Sequence, residues 1–224
     1  MSDSQSASVS QKDSSVPPAP TLLAGQTQPE PDIETAALDA NVVLRNGLRD
    51  FLLSVASAGA WLPVWSDAIH GEWVRNRAEV CGDPQSVLDY PRNQMEDAFP
   101  GSNMPPDPDV LRDVLSLCAS DAERKDAHVV MTAIVAEAST IVTFNDRDFP
   151  GRILSCYGLR AERPDVFCER IFPARAAQFV AGAREQRARL KKPARDPDDY
   201  LRHLRDALAM PRTASLLAPY RNEI

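Results

Sequence analysis

Thr140-Ile141-Val142-Thr143-Phe144-Asn145-Asp146-Arg147-Asp148 decides the fold, because an apolar run ends abruptly in a turn rich in acids. A short continuous apolar run bounded by turn residues is the mark of a strand buried on both faces. Just upstream, Asp126 opens a stretch with Val129, Val130, Ala133 and Ile134 at helical spacing. Helix followed by buried strand is the unit of a parallel α/β sheet. The unit recurs nearer the N-terminus. Thr35 to Leu38 is a short buried strand closed by Asp39, and Leu48, Phe51, Leu52 and Val55 form a helix that Gly59 stops. Trp61 to Trp65 is a second strand, after which Ser66 caps a short helix carrying Ile69, Glu72 and Trp73. The expected fold is α/β, a central parallel sheet with helices on both faces.

Other stretches complete the plan. Asp83-Pro84 is a cap followed by proline at the first helical position, and the helix it opens is expected to break near Pro91. Residues 100–108 form a proline-heavy loop, and Val110, Leu111, Val114, Leu115 and Cys118 make an amphipathic helix. From about Asp165 the pattern turns all helical, with Phe179 and Val180 in one helix and Tyr200, Leu201, Leu204 and Leu208 striping another. Residues 1–34, rich in Ser, Pro, Gln and Ala without an apolar period, bury too little to offset their ordering entropy and are expected to be disordered. The domains expected are thus a disordered segment (1–34), a core domain (35–160) and a C-terminal helical subdomain (161–224).

Composition excludes several function classes. A hydrophobic fraction of 43% supports a real core, and no apolar stretch approaches the ~20 residues that span a bilayer. Met1-Ser2-Asp3-Ser4-Gln5 lacks the regions of a secretory signal, and Cys81, Cys118, Cys156 and Cys168 show no zinc-type pairing. Free buried thiols in a reducing cytoplasm are expected. The net charge of −7 argues against a generic DNA coater, yet residues 170–224 carry 12 Lys and Arg against 6 Asp and Glu. His70, His128 and His203 include no close pair for zinc. Phosphate-cradling glycine runs and a nucleophile elbow are both absent.

Asp39, Glu72, Asp126 and the group Asn145, Asp146 and Asp148 all fall near element ends expected to share one sheet edge, where ligands bind in such folds. Each acid alone has a plainer role as a cap, a solvated helix residue or a turn former. Together they repel unless a cation lies between them, and oxygen-only ligands select a hard ion such as Mg²⁺ or Mn²⁺. His128, two residues past Asp126, can touch substrate or metal, or be structural. Arg147, between two acids, can bind a phosphate or neutralise its neighbours. Lys191, Lys192 and Arg195 can grip an RNA backbone or be a solvated charge run.

These residues also resemble a family. Leu38-Asp39-Ala40-Asn41-Val42 is similar to the opening motif of PIN-domain ribonucleases, and Trp65-Ser66-Asp67 with Glu72-Trp73 resembles their second. Lys125-Asp126-Ala127-His128-Val129, then Ile141 to Pro150, resemble the third and fourth; the helical tail resembles the C-terminal extension of a VapC-type toxin subgroup. The resemblance implies a PIN-like three-layer α/β/α domain plus a C-terminal helical extension. It implies Mg²⁺ or Mn²⁺ held by Asp39, Glu72, Asp126 and Asp148, with Asn145, Asp146, Thr143 and Arg147 supporting. It further implies an endoribonuclease cutting tRNA or rRNA loops, a cognate antitoxin and a homodimer. Cleavage is expected to leave a 5′-phosphate and a 3′-hydroxyl. The family's usual Tyr-Pro after the first motif is here Leu44-Arg45. The competing expectations are a PIN nuclease working without an antitoxin and a non-catalytic RNA-binding protein.

Overall fold

A computed structural model describes Met1 and residues 32–82 and 84–224. The expected disordered segment and the Asp83 cap therefore lie outside the described residues, apart from Met1 and residues 32–34. Starting from the middle of the sheet, β1 (Thr35–Leu38) is followed by α1 (Ala40–Val43), α2 (Asn46–Ser57), β2 (Leu62–Ser66), α3 (Asp67–Cys81), α4 (Gln85–Ala98) and β3 (Asn103–Met104). The chain then runs through α5 (Pro108–Leu117) and α6 (Asp121–Val135) to β4 (Thr140–Val142), α7 (Gly151–Leu154) and β5 (Arg160–Glu162). It ends in α8 (Pro164–Arg189), α9 (Pro197–Asp206) and α10 (Pro211–Leu217).

The strand order is β3-β2-β1-β4-β5, with every pair parallel. Ala36, Ala37 and Leu38 of β1 are fully buried, as a central strand covered on both faces requires. Pro63 fits inside β2 because its missing N–H faces the β3 side, where pairing begins only at Trp65. The chain moves outward from β1 to β3, then crosses back to β4. Right-handed crossovers put the intervening helices α2 and α6 on opposite faces. The reversal makes the β1–β4 boundary the topological switch point.

Several expectations need correction. β2 begins and ends one residue later than the expected Trp61–Trp65, and Glu72 sits in a helix of 15 residues rather than a short one. β4 stops at Val142 because the Phe144 N–H is taken by the Asn41 side chain, which turns the chain out of the sheet. α4 continues through Pro91, at the cost of one backbone hydrogen bond. Asp126 does not open its helix: Ser120 is the cap, its Oγ accepting from Glu123 N–H, and Asp126 lies in the second turn. Residues 103–104, expected as loop, form the short edge strand β3. Cys118 and Cys168 are free and buried, but Cys156 is exposed in the turn after α7.

The expected division at residue 160 falls inside β5, and Asp32–Ile224 is one compact unit. α8 packs along α2, and Phe167 meets Trp61 edge-on with ring centroids 5.1 Å apart. Glu34, assigned by composition to the N-terminal segment, is anchored in the body. Arg170 donates to it at 2.7 and 2.9 Å and to Glu162 at 3.0 Å, while Thr140 and Ser139 donate to it at 2.6 and 2.7 Å. Burial pushes the Glu34 carboxyl up, but these donors outweigh it and hold it at about 2. The cluster ties the start of β1 to β4, β5 and α8.

Candidate active site

Asp39 leaves β1 in extended conformation and does not use its side chain to cap α1. Its N–H donates to the Val142 carbonyl across the switch point at 3.1 Å. Its Oδ2 accepts from Thr143 Oγ1 at 2.6 Å and from Asn41 Nδ2 at 2.7 Å. Asn41 also donates to Thr143 Oγ1 at 3.1 Å and accepts from Phe144 N–H, while Thr143 Oγ1 accepts from Asn145 N–H. Both strand ends are thus stitched into one rigid unit around a carboxylate only 6% exposed. Burial pushes the Asp39 carboxyl up; the Thr143 hydrogen bond opposes this and the Glu72 charge adds to it.

Glu72 projects from α3, whose start is fixed by Ser66. The Ser66 Oγ accepts from Ile69 N–H at 3.5 Å and from Thr132 Oγ1 of α6 at 3.0 Å. Glu72 Oε2 lies 3.4 Å from His128 Nε2, and Oε1 lies 3.5 Å from Lys125 Nζ. His128 Nδ1 is 2.9 Å from the Lys125 carbonyl, so Nδ1 bears the proton there. The longer Nε2 contact is an ion-pair approach, and that buried nitrogen has no short hydrogen bond. His128 pulls the Glu72 carboxyl down against burial, with help from Lys125. Burial pulls His128 down in turn, but Glu72 and the Lys125 carbonyl outweigh it and raise the imidazole.

Asp126 faces these two acids from α6. Burial first, then the charges of Asp39, Glu72 and Asp148, push its carboxyl up to about 6. Asp148 closes the 3₁₀ turn Asp146–Asp148 after β4, half-buried, its N–H donating to the Asn145 carbonyl at 2.9 Å. Asp126 therefore feels the charges of three carboxylates from three other segments at the C-terminal edge of the sheet. Asp146 is exposed and drawn outward, 3.8 Å from Arg163 Nε. Asn145 and Arg147 are exposed, and Arg147 makes no ion pair among the described residues.

Among the described residues, no group of three or more His, Cys, Asp and Glu side chains is gathered closely enough to hold a metal ion as it stands. Asp39 and Glu72 meet protein donors instead. The donor chemistry nonetheless fits a hard divalent cation, since the set is all oxygen and strongly anionic. His70 stands apart from this set. His70 is buried, accepts from Trp73 Nε1 on Nδ1 and donates to Glu96 from Nε2, each at 2.9 Å.

Reading the sequence missed Asn41 as the partner of Asp39, and Lys125 with His128 as the partners of Glu72. Asn41 stands two residues past Asp39, a short polar spacing that was a usable signal. The Glu72 contacts depend on how α3 crosses α6, which no local pattern carries.

Residues 164–219 match the family model of the VapC50 C-terminal domain. No curated protein and no solved structure matched the chain. The VapC50 C-terminal domain match covers α8 to α10 and supports kinship with VapC-type proteins over that segment. All four acids lie outside it, so the site rests on its own geometry. No helix among the described residues is long and apolar enough to cross a membrane.

Proposed function

We propose that this chain is a metal-dependent endoribonuclease, acting in the cytoplasm as the toxin of a VapBC-type toxin–antitoxin pair. The observation that carries the reading is Asp126, pushed up to about 6 by burial and by the charges of three acids brought from distant segments to the switch point. Like charges are held together at a cost that a folded chain keeps only where the cluster is used. The VapC50 C-terminal domain match supports the toxin assignment and the expectation of a cognate antitoxin.

Asp39, Glu72, Asp126 and Asp148 would hold Mg²⁺ or Mn²⁺. The bound cation would supply charge neutralisation at the phosphate and a more acidic water. The protein's own groups do the rest. Thr143 and Asn41 fix the Asp39 carboxylate, and His128 with Lys125 orients that of Glu72. An Asp126 oxygen, facing the other acids from α6, takes the proton of the attacking water. Water adds in line to phosphorus as the bond to the 3′ oxygen breaks, and that oxygen takes a proton from solvent, giving a 5′-phosphate and a 3′-hydroxyl. Exposed loops of tRNA or rRNA are the substrates such selective cleavage favours.

The test is to sequence RNA ends after brief expression of the chain and of its Asp39→Asn variant. New ends bearing 5′-phosphates at a few loop positions, absent with the variant, are expected. Ends carrying 2′,3′-cyclic phosphates, or equal cleavage by the variant, would reject the mechanism.

A further inference from the structure

Beside the acids opens a cleft of about 580 Å³ lined by Phe144, Asn145, Asp146, Arg147, Asp148 and Arg163. Two arginines offset its two aspartates, so the cleft is charge-balanced where the rest of the site is anionic. The Arg45 guanidinium carbon lies 4.0 Å from the Phe144 ring centroid. Arg45 makes no hydrogen bond or ion pair through that group among the described residues, and neither does Arg147. Arg163 donates to the Phe144 carbonyl at 3.3 Å and approaches the exposed Asp146 at 3.8 Å.

Phe144 is itself held on both sides of its peptide unit, its N–H by Asn41 Oδ1 and its carbonyl by Arg163. The ring is therefore a fixed platform. A guanidinium stacked on an aromatic face keeps its in-plane N–H edge open, and that edge matches two phosphate oxygens. Arg45 and Arg147, two cations without a carboxylate partner among the described residues, are poorly explained by stability alone beside an anionic cluster. Exposed charges contribute little to folding, and a partner such as Asp50 or Asp206 is what other arginines of this chain have found.

We propose that Arg45, Arg147 and Arg163 form a phosphate clamp that grips the backbone of single-stranded RNA on the Phe144 side of the acids. The clamp deepens the nuclease reading and rests on it for the choice of ligand. Phosphates flanking the scissile bond sit on guanidinium groups, and repulsion between RNA and the four acids is offset locally although the chain is acidic. Arg45 occupies this post because it lies in the short link between α1 and α2, at the N-cap of α2.

The experiment measures binding of a short fluorescein-labelled single-stranded RNA by fluorescence anisotropy. It uses the full chain in EDTA over a range of salt concentrations, so no turnover contributes. Arg45→Ala and Arg147→Ala are each expected to weaken binding about five- to tenfold. Each should lower the slope of log affinity against log salt by about 0.7. Arg45→Lys should restore the slope but not the full affinity, because an ammonium does not offer the planar edge. Arg205→Ala, whose charge is already paired with Asp206, should change nothing. Unchanged binding in the Arg45 and Arg147 variants, with melting temperatures intact, would overturn the clamp. So would variants that keep RNA binding but lose binding of a Glu-rich peptide, which would make the cleft a protein-docking site. Wild-type protein that binds RNA through these arginines yet never cleaves it would sink the nuclease reading and leave the clamp standing.

Discussion

Asp126→Asn is expected to lower RNA cleavage by about three orders of magnitude and, at neutral pH, to make the metal-free protein more stable. On the proposed reading, the first effect follows from removing both a cation ligand and the group that accepts the water proton. A thousandfold loss corresponds to about 4 kcal/mol of transition-state stabilisation. The second follows from the carboxyl's surroundings. Its pKa is raised to about 6 from the ordinary 3.8, so the folded state resists its ionisation. Above pH 6 the charge costs about 1–2 kcal/mol, after allowing for the screening of a half-exposed group. The cost shrinks as pH falls through 6 and is gone below about pH 4, where the acid is protonated folded or unfolded. Urea unfolding in EDTA should therefore show the variant ahead of wild type at pH 7.5 and level with it near pH 4. A variant less stable than wild type at pH 7.5 would mean that Asp126 is a structural acid.

Gly182→Ala should be the most damaging single methyl group in the protein. A Cβ there would lie 2.6 Å from Val55 Cα, 2.7 Å from Val55 N and 2.8 Å from the Ser54 carbonyl carbon. All three atoms are α2 backbone, which cannot swing aside as a side chain can. α2 and α8 must part, and with them the core around Phe51 and Phe179. A loss of about 3 kcal/mol is expected in urea unfolding, at the upper end of overpacking costs. A change below about 0.5 kcal/mol would show that α8 is not seated this closely.

How legible was this protein? Thr35–Leu38 was read to the residue because a short apolar run ended at an acid, and the Ser66 cap and the Gly59 stop were equally plain. β3 and β5 were not readable. Asn103-Met104 and Arg160-Ala161-Glu162 are two- and three-residue edge strands without an apolar run, and they exist because β2 and β4 offer them open edges. Ser120 displaced Asp126 as a cap because helix starts are set by whichever side chain reaches the free N–H groups, and Glu123 supplies the reciprocal bond to Ala119 N–H. The acids were expected as a set at element ends, but Glu72 and Asp126 lie within α3 and α6. Their partners were not expected, since Thr143 reaches Asp39 across 104 residues and His128 reaches Glu72 only through the α3–α6 crossing. The Arg45–Phe144 stack likewise joins residues almost a hundred positions apart, and only the sequence oddity at Leu44-Arg45 hinted at it.

Titration with Mn²⁺, followed by calorimetry on the full chain at pH 7.5, bears most directly on whether four separate acids act as one cation site. Wild type should bind Mn²⁺, and Asp39→Asn, Glu72→Gln and Asp126→Asn should each weaken that binding more than about tenfold. Folded wild-type protein that takes up no Mn²⁺, or single variants that bind it as wild type does, would contradict the account.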